Sequence, residues 1–489
     1  MKVNSYLNLY GLKNQNMFDH EVSGIYEKSS EVIENSVFVA LKGYKKKGIN
    51  YIDEAIKHGA KTIFYDDESY IQKDMPNINF FLVKSSKVEL ARLLKWFYKD
   101  AIKPMMIGIT GTNGKTTVAN LVYEFLKHHQ KRVIYFGTSI IKRFIEQEYV
   151  ETSNNTTPSI TTLYHHLFEN AYQYVVMEVS SQGIMEGRVL GVKFDIACYT
   201  NITQDHLDYH HTMDNYASAK ARLALSLDDD AILILNEDMD YYQMLKETSI
   251  AKLLTYSTNV FSNNATILGR LVKRDINEMT LAIWEDATCF EIKSKLLGDF
   301  NLENLLASYL ILKSLGFTKK EVTTFYPTFS PVRGRMNVYQ LKKEDKNLYI
   351  VIDFAHTPEG LKQVIEYFLK IKTKRLVTIM GCGGNRDHEK RPIMGHIATQ
   401  LSDYTYFTED NSRDEEVENI IFDICKGAYS KNYEIIYQRK EAIDKAIQDA
   451  HHNDIILLLG KGSEEYIVRK TKVPFCDLTY IESLGGVKC

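Results

Sequence analysis

Short apolar runs, each closing on a Gly-, Ser-, His- or Asp-rich stretch, alternate along this chain with segments of helical spacing. Up to about residue 100 the pattern is mixed: Ser36–Leu41 reads as a strand and Ile52–Gly59 as a helix stopped by its glycine, the signature of a small α/β domain. Lys103-Pro104 then punctuates the chain. Beyond it Met106–Thr110, Arg132–Phe136, Tyr174–Val179, Asp195–Thr200 and Ala231–Leu235 have the apolar character of buried strands, and their alternation with helices predicts a parallel sheet covered by helices. A second break falls at Ser330–Arg335, after which Leu348–Ile352, Arg375–Ile379, Tyr404–Phe407 and Asp454–Leu459 predict a second doubly wound sheet. The expected fold class is α/β with three domains, 1–103, 104–330 and 331–489. Ligands of open parallel sheets bind at the carboxyl ends of the strands, so the loops that follow these runs are where chemistry is to be sought.

A length of 489 residues agrees with three domains of roughly 150 residues each. Net charge is −3 with both signs interspersed, which argues against a nucleic-acid groove or an anionic membrane surface and favours small-molecule partners. The N-terminus carries no apolar core of signal-peptide length, and no run approaches the roughly 18 apolar residues of a membrane span, so a cytoplasmic protein is expected. Six cysteines, with no Cys-x-x-Cys pair and no zinc spacing, predict reduced thiols.

The chemistry concentrates first in Met106–Thr117, where a strand breaks into Gly108, Gly111 and Gly114 and then Lys115-Thr116-Thr117. Glycines let a phosphate approach bare backbone N–H groups, the helix start favours negative charge, Lys115 can neutralise the outer phosphates, and Thr116 can offer its hydroxyl to Mg2+. The common phosphate-loop spacing wants glycine where Ile109 stands, with Gly108 one position further back. Glu178 closes its strand before Ser180-Ser181 and suits a metal ligand or a solvated turn. His206, after another strand, can offer an imidazole to an ion or serve packing. By spacing alone Lys220 is a lysine on a helix.

Taken together, Gly108–Thr117, Met177–Ser181, Thr200–Tyr209, Tyr216–Arg222, Gly298–Asn304, Pro331–Met336, Asp353–Pro358, Gly381–Asp387 and Gly460–Gly462 resemble, in order, the motifs of the Mur ligases, and within them the type that adds the third amino acid to UDP-N-acetylmuramoyl-L-alanyl-D-glutamate. The resemblance implies an N-terminal domain for the uridine nucleotide, a central ATPase and a C-terminal Rossmann-like domain for the incoming amino acid, in a cytoplasmic monomer of peptidoglycan precursor synthesis. It implies ATP held by Gly111, Thr112, Asn113, Gly114, Lys115, Thr116, Thr117, Asn301, Asn304, Arg335, Asp353 and His356. Two Mg2+ ions would be ligated by Thr116, Glu178, His206 and Lys220, the last as a carbamate formed from CO2; a lysine beside Mg2+ is pushed towards the neutral amine that CO2 captures. Ser29, Asn155, Thr156, Thr157, Ser180 and Arg188 match contacts to the UDP-muramoyl dipeptide, and Arg386, Asp410, Asn411, Arg413, Gly460 and Glu464 match contacts to the added diamino acid. The implied reaction activates a carboxylate as an acyl phosphate, which the amine then displaces.

Several positions depart from the family pattern. Asp410-Asn-Ser-Arg413 stands where enzymes of this type that use meso-diaminopimelate carry Asp-Asn-Pro-Arg; Arg413, the group suited to an extra carboxylate, is kept, so diaminopimelate is favoured over L-lysine. Gly460-Lys-Gly-Ser-Glu464 loses a histidine, Gln182 replaces another, and Lys28-Ser-Ser30 with Glu34-Asn35 replaces the usual Asp-Ser-Arg and Pro-Gly, leaving Ser29 for uridine. Alternatives are an L-lysine-adding enzyme, a paralogue that acts on a different carboxylate, a phosphotransferase that stops at the phosphorylated product, and a nucleotide-gated binding protein.

Overall fold

The computed structural model describes the chain except for residues 13–17, 43–46, 71–74, 99–103, 154, 170, 260, 263 and 344, and the side chains at 169 and 208. The expected boundary at Lys103 touches one of these segments and lies outside the described residues. Two compact units result: residues 1–108, 126–197 and 222–231 form the first, and 109–125, 198–221 and 232–489 the second.

In the first unit, Ile25–Tyr26, Ser36–Ala40, Ala60–Tyr65 and Asn79–Leu82 make a four-stranded, wholly parallel sheet. Parallel strands need both faces covered. Ser36–Ala40 is buried at every position, with Val37 and Val39 packed towards Tyr6, Leu90, Leu93 and Leu94, and Phe38 and Ala40 towards Ile52, Ala55 and Ile63. The same unit carries Val133–Gly137 parallel to Tyr174–Glu178, and a hairpin of Ile140–Phe144 and Glu148–Thr152 antiparallel to it.

In the second unit, Ile232–Asn236, Lys252–Ser257 and Ile267–Arg274 run parallel, and Met279–Glu285 and Thr288–Ser294 continue antiparallel. The C-terminal sheet orders Tyr433–Ile435, Tyr404–Phe407, Leu376–Met380, Ile455–Leu459 and Lys346–Asp353 in parallel, then adds Asn337–Lys343 antiparallel to Lys346–Asp353, and Val487–Lys488 antiparallel to Asn337–Lys343 in turn. Its two faces bury separate clusters: Val351, Leu457 and Leu459 lie with Phe368 and Ile424 on one, Ile350, Ile456 and Leu458 with Ile443 and Leu478 on the other. The sequence-based strands are present within a residue or two at their ends. The antiparallel strands go beyond the wholly parallel sheet expected: Glu148–Thr152 is largely exposed and has no apolar run to betray it, and Ile267–Arg274 alternates buried and wet positions.

Candidate active site

The phosphate loop belongs to the second unit. Its helix begins at Lys115, and two glycines make the loop before it possible. Gly111 and Gly114 have φ of +146° and +85°; a Cβ would collide with the Thr200 hydroxyl at the first and with the Asn304 side-chain oxygen at the second. Thr200, at the end of the strand Ile196–Tyr199, donates to Asn113 O at 2.5 Å, and Asn201 Oδ1 accepts from Asn113 N at 2.9 Å. The Lys115 ammonium donates to the loop's own carbonyls, Gly111 O and Thr112 O, each at 2.8 Å. Thr112 and Thr117 are buried beside it. Asn304 donates to Asn301 Oδ1 at 2.8 Å, so the two asparagines three apart act as one group against Gly114.

Lys220 is 1 % exposed, on the helix Met213–Leu225, and reaches the same loop: its Nζ donates to Gly111 O at 2.9 Å and Thr110 Oγ1 at 3.3 Å. Burial, and then the Lys115 charge, hold its amine well below the ordinary lysine range. That shift favours the neutral amine, the form that takes up CO2. His206 stands at φ +54° with its ring 59 % exposed and 3.5 Å from the neighbouring Asp205. Asp205 was not legible as a site residue, yet His206, His356 and Lys390 all hold its carboxyl low against the opposing effect of burial. His356 precedes the helix Pro358–Ile371, capped by Thr357; burial and the Lys390 charge push its imidazole down to about 4, and Lys390 donates to His356 O at 3.0 Å. The Arg335 guanidinium lies 4.7 Å from the centroid of the Phe354 ring, and Asp353 accepts from Met336 N and Ala355 N, each at 2.8 Å.

The first unit holds a second cluster. Glu178 is fully buried at its strand end and accepts from Tyr135 OH at 2.7 Å, Thr138 N at 3.2 Å and Thr138 OH at 3.3 Å. Thr157 OH donates to Glu178 O at 2.9 Å, Thr138 and Thr156 share a hydroxyl contact at 3.2 Å, Ser180 caps the helix Ser181–Met185, and Arg188 donates to Thr157 O at 2.9 Å. Asn155 adjoins them, its backbone carbonyl accepting from Ser153. The dipeptide-site residues named from sequence thus gather around Glu178, except Ser29, which lies elsewhere with its hydroxyl donated to Glu54 at 2.6 Å.

The third cluster sits on the C-terminal loops. Arg413, at φ +54°, donates to Gly384 O at 2.7 Å and Asn411 O at 3.2 Å, and burial and then the Arg386 charge hold its guanidinium below its ordinary range. Asn411 donates to Glu464 at 2.6 Å, and Asp410 lies against Gly460, whose φ is +109°. Two cations side by side with carboxylates near by suit a ligand that bears both charges.

Comparison with known proteins gives the family. Residues 109–312 match the Mur ligase middle domain, 334–462 the Mur ligase glutamate ligase domain, and 21–100 the Mur ligase family catalytic domain. The chain belongs to the Mur ligase family. As such it is an ATP-dependent ligase. It is 32 % identical to a UDP-N-acetylmuramoyl-L-alanyl-D-glutamate–2,6-diaminopimelate ligase of Caldanaerobacter subterraneus over 95 % of each chain. It is 33 % identical to UDP-N-acetylmuramyl-tripeptide synthetase 2 of Oceanobacillus iheyensis over 94 % of this chain and 93 % of that one. A solved UDP-N-acetylmuramoyl-L-alanyl-D-glutamate–2,6-diaminopimelate ligase superposes with a TM-score of 0.68 at 28 % identity, covering 98 % of both chains. The ADP complex of Thermotoga maritima MurF, at 21 % identity and a TM-score of 0.63, shares the fold over 89 % of this chain and 93 % of that one. No helix among the described residues of this Mur ligase is long and apolar enough to cross a membrane.

Among those residues no three His, Cys, Asp or Glu side chains form a ready metal cage. The donor set implied for Mg2+ differs in kind: a hydroxyl, a carboxylate, an imidazole and a carbamate, mostly the oxygen ligands that this hard cation takes. Lys220, buried and with its proton affinity lowered, fits the carbamate.

Glu303 is a polar residue that sequence reading passed over, because it falls between the two asparagines. It lines a cavity of about 490 Å3 with Arg270, Glu359 and Lys370, and accepts from Asn236 at 3.2 Å. Burial, then Asp238 and Glu359, push its carboxyl up from 4.5 to about 7. A raised carboxyl pKa opposes folding progressively as pH rises through that window, so Glu303→Gln is expected to stabilise the enzyme at about pH 8 by on the order of 1–3 kcal/mol and not below about pH 4.5, as thermal melts at both pH values will show. Equal effects at both would refute the shift.

Proposed function

We propose that this Mur ligase joins meso-diaminopimelate to UDP-N-acetylmuramoyl-L-alanyl-D-glutamate at the expense of ATP, with residues 1–103 serving the uridine nucleotide, 104–330 ATP and 331–489 the amino acid. The observation that carries the amino-acid choice is Arg413, pinned by Gly384 O and Asn411 O beside Arg386, with Asp410 and Glu464 within electrostatic reach. Diaminopimelate ends in a second amino-acid centre, a carboxylate with an ammonium. L-Lysine lacks that carboxylate and would leave the guanidinium pair without a substrate carboxylate to bind.

In this reading Thr112, Asn113, Gly114 and Lys115 cradle the ATP phosphates, Asn301 and Asn304 face the nucleotide, and Arg335, Asp353 and His356 reach it from the hinge and C-terminal loops. Thr156, Thr157, Ser180 and Arg188 orient the D-glutamyl γ-carboxylate, which attacks the γ-phosphate in line; ADP leaves and an acyl phosphate remains. Glu464, Asn411 and Arg413 hold the distal ammonium and carboxylate of the added residue, while its other amine, as the free base, attacks the acyl carbon. The C–O bond to phosphate breaks, phosphate leaves and the new amide nitrogen gives up a proton. Thr116, Glu178, His206 and carbamylated Lys220 would hold Mg2+, which when bound neutralises charge on the phosphates. The buried His356 stays an uncharged imidazole at neutral pH and serves as a hydrogen-bonding group.

Phosphate release tests this directly with UDP-MurNAc-L-Ala-D-Glu and, in turn, meso-diaminopimelate, L-lysine, L-ornithine and no amine, with product masses checked. Release and ligation with diaminopimelate alone is the expected result. Arg413→Ala is expected to raise KM for diaminopimelate by about 10- to 100-fold, the loss of a charge-assisted pair of hydrogen bonds. Turnover with L-lysine would overturn the amino-acid assignment, and release without any amine would point to a phosphotransferase. No turnover with any of these amines would favour another carboxylate acceptor, in line with the altered segment around Ser29.

A further inference from the structure

The loop after the strand Ile455–Leu459 holds a lysine that the proposed reaction has not used. Lys461 is 0 % exposed, and its ammonium donates to Glu464 Oε2 at 2.9 Å, Tyr466 O at 2.9 Å and Asn411 Oδ1 at 3.3 Å. A wholly buried ammonium is costly unless compensated, and here each partner is an acceptor on the loops of the amino-acid site. Asn411 Nδ2 also donates to Glu464 Oε2, at 2.6 Å, and Val468 N donates to Asn411 Oδ1 at 2.8 Å. Both contacts to Glu464 fall on Oε2, so Oε1 is the acceptor that they do not use. Glu464 itself is 36 % exposed.

The alternative partner for Glu464 is close by. Its charge is felt by Arg413, which also feels the charge of Arg386 on the neighbouring loop. A guanidinium pulling on this partly exposed carboxylate would draw it across into an ion pair, consuming both the anion that a substrate ammonium needs and the cation that a substrate carboxylate needs. Lys461 and Asn411 oppose this by holding Oε2 from the buried side. On the reading of the amino-acid site given above, we propose that Lys461 is a positioning residue for substrate selection: it keeps Glu464 available to the ammonium of the added diamino acid and off the Arg386–Arg413 pair, so that diaminopimelate meets separated charges.

Steady-state phosphate release by the full-length enzyme tests this in Lys461→Met, Lys461→Gln, Glu464→Gln and the double variant K461M/E464Q. Met fills the buried stem's volume without charge; Gln keeps an N–H donor for Tyr466 O, so one of the pair serves if the other fails to fold. Lys461→Met is expected to raise KM for diaminopimelate by about 10-fold or more while KM for ATP and for the UDP-muramoyl dipeptide stays within about 2-fold. Because Lys461 acts through Glu464, the double variant is expected to be no worse than Glu464→Gln alone, within about 2-fold. Wild-type KM for diaminopimelate in both Lys461 variants overturns the proposal, as does a parallel rise in all three KM values or losses that multiply in the double variant. If Glu464→Gln itself leaves KM for diaminopimelate unchanged, the amino-acid site has been misplaced, a failure separate from that of Lys461.

Discussion

Lys115→Ala is expected to cut ligation by about 1000-fold or more, because phosphoryl transfer depends on fixed positive charge at the transferring group. In the structure the ammonium donates to Gly111 O and Thr112 O, contacts that tie it to the loop. The same geometry limits the cost to the fold. Both acceptors are backbone carbonyls, and Gly111 O keeps Lys220 as a second donor. The melting temperature should therefore move little while kcat collapses. Residual turnover within about 10-fold of wild type would remove Lys115 from the phosphate site.

Lys220 is expected to behave differently, since its chemistry needs a third party. Stripping CO2 from the assay should suppress activity and bicarbonate should restore it, with native mass spectrometry showing one added CO2 that is absent in Lys220→Met. That variant should lose about 1000-fold in kcat, as removal of a group placed against a transferring phosphate does. Stability should move the other way. Burial, and then the Lys115 charge, lower the amine's proton affinity in the fold, whereas the unfolded chain keeps its proton up to about pH 10.4. A lysine whose proton affinity is lowered by folding opposes folding at pH values below the ordinary lysine range, and this opposition fades as pH rises towards that range. Lys220→Met is consequently expected to be inactive yet at least as stable at pH 7 as CO2-stripped wild type. An active enzyme with an unmodified Lys220 would rule out the carbamate.

The phosphate loop was readable because close approach of a backbone to phosphate demands glycines at set intervals; the structure adds that Gly114 also makes room for Asn304, far along the chain. Lys220 was legible only by resemblance, since helical spacing cannot say that a lysine is 1 % exposed beneath a phosphate loop. Ser29 illustrates the reverse. Its motif position suggests uridine, and its hydroxyl is donated to Glu54.

What the sequence determined by itself was local or periodic. Apolar runs long enough for a strand marked Val133–Gly137, Tyr174–Glu178 and Ile455–Leu459, and glycine, cap and charge placement marked the loop at 108–117. Tertiary structure decided which charges face each other. Asp205 among His206, His356 and Lys390, Glu303 beside Asp238 and Glu359, and Lys461 under Glu464 and Asn411 depend on chain segments whose spacing in sequence carries no signal. The reason is physical: a hydrophobic period reports how one element meets the core, whereas the proton affinity and orientation of a polar group are set by desolvation and by partners that only folding brings within a few ångströms.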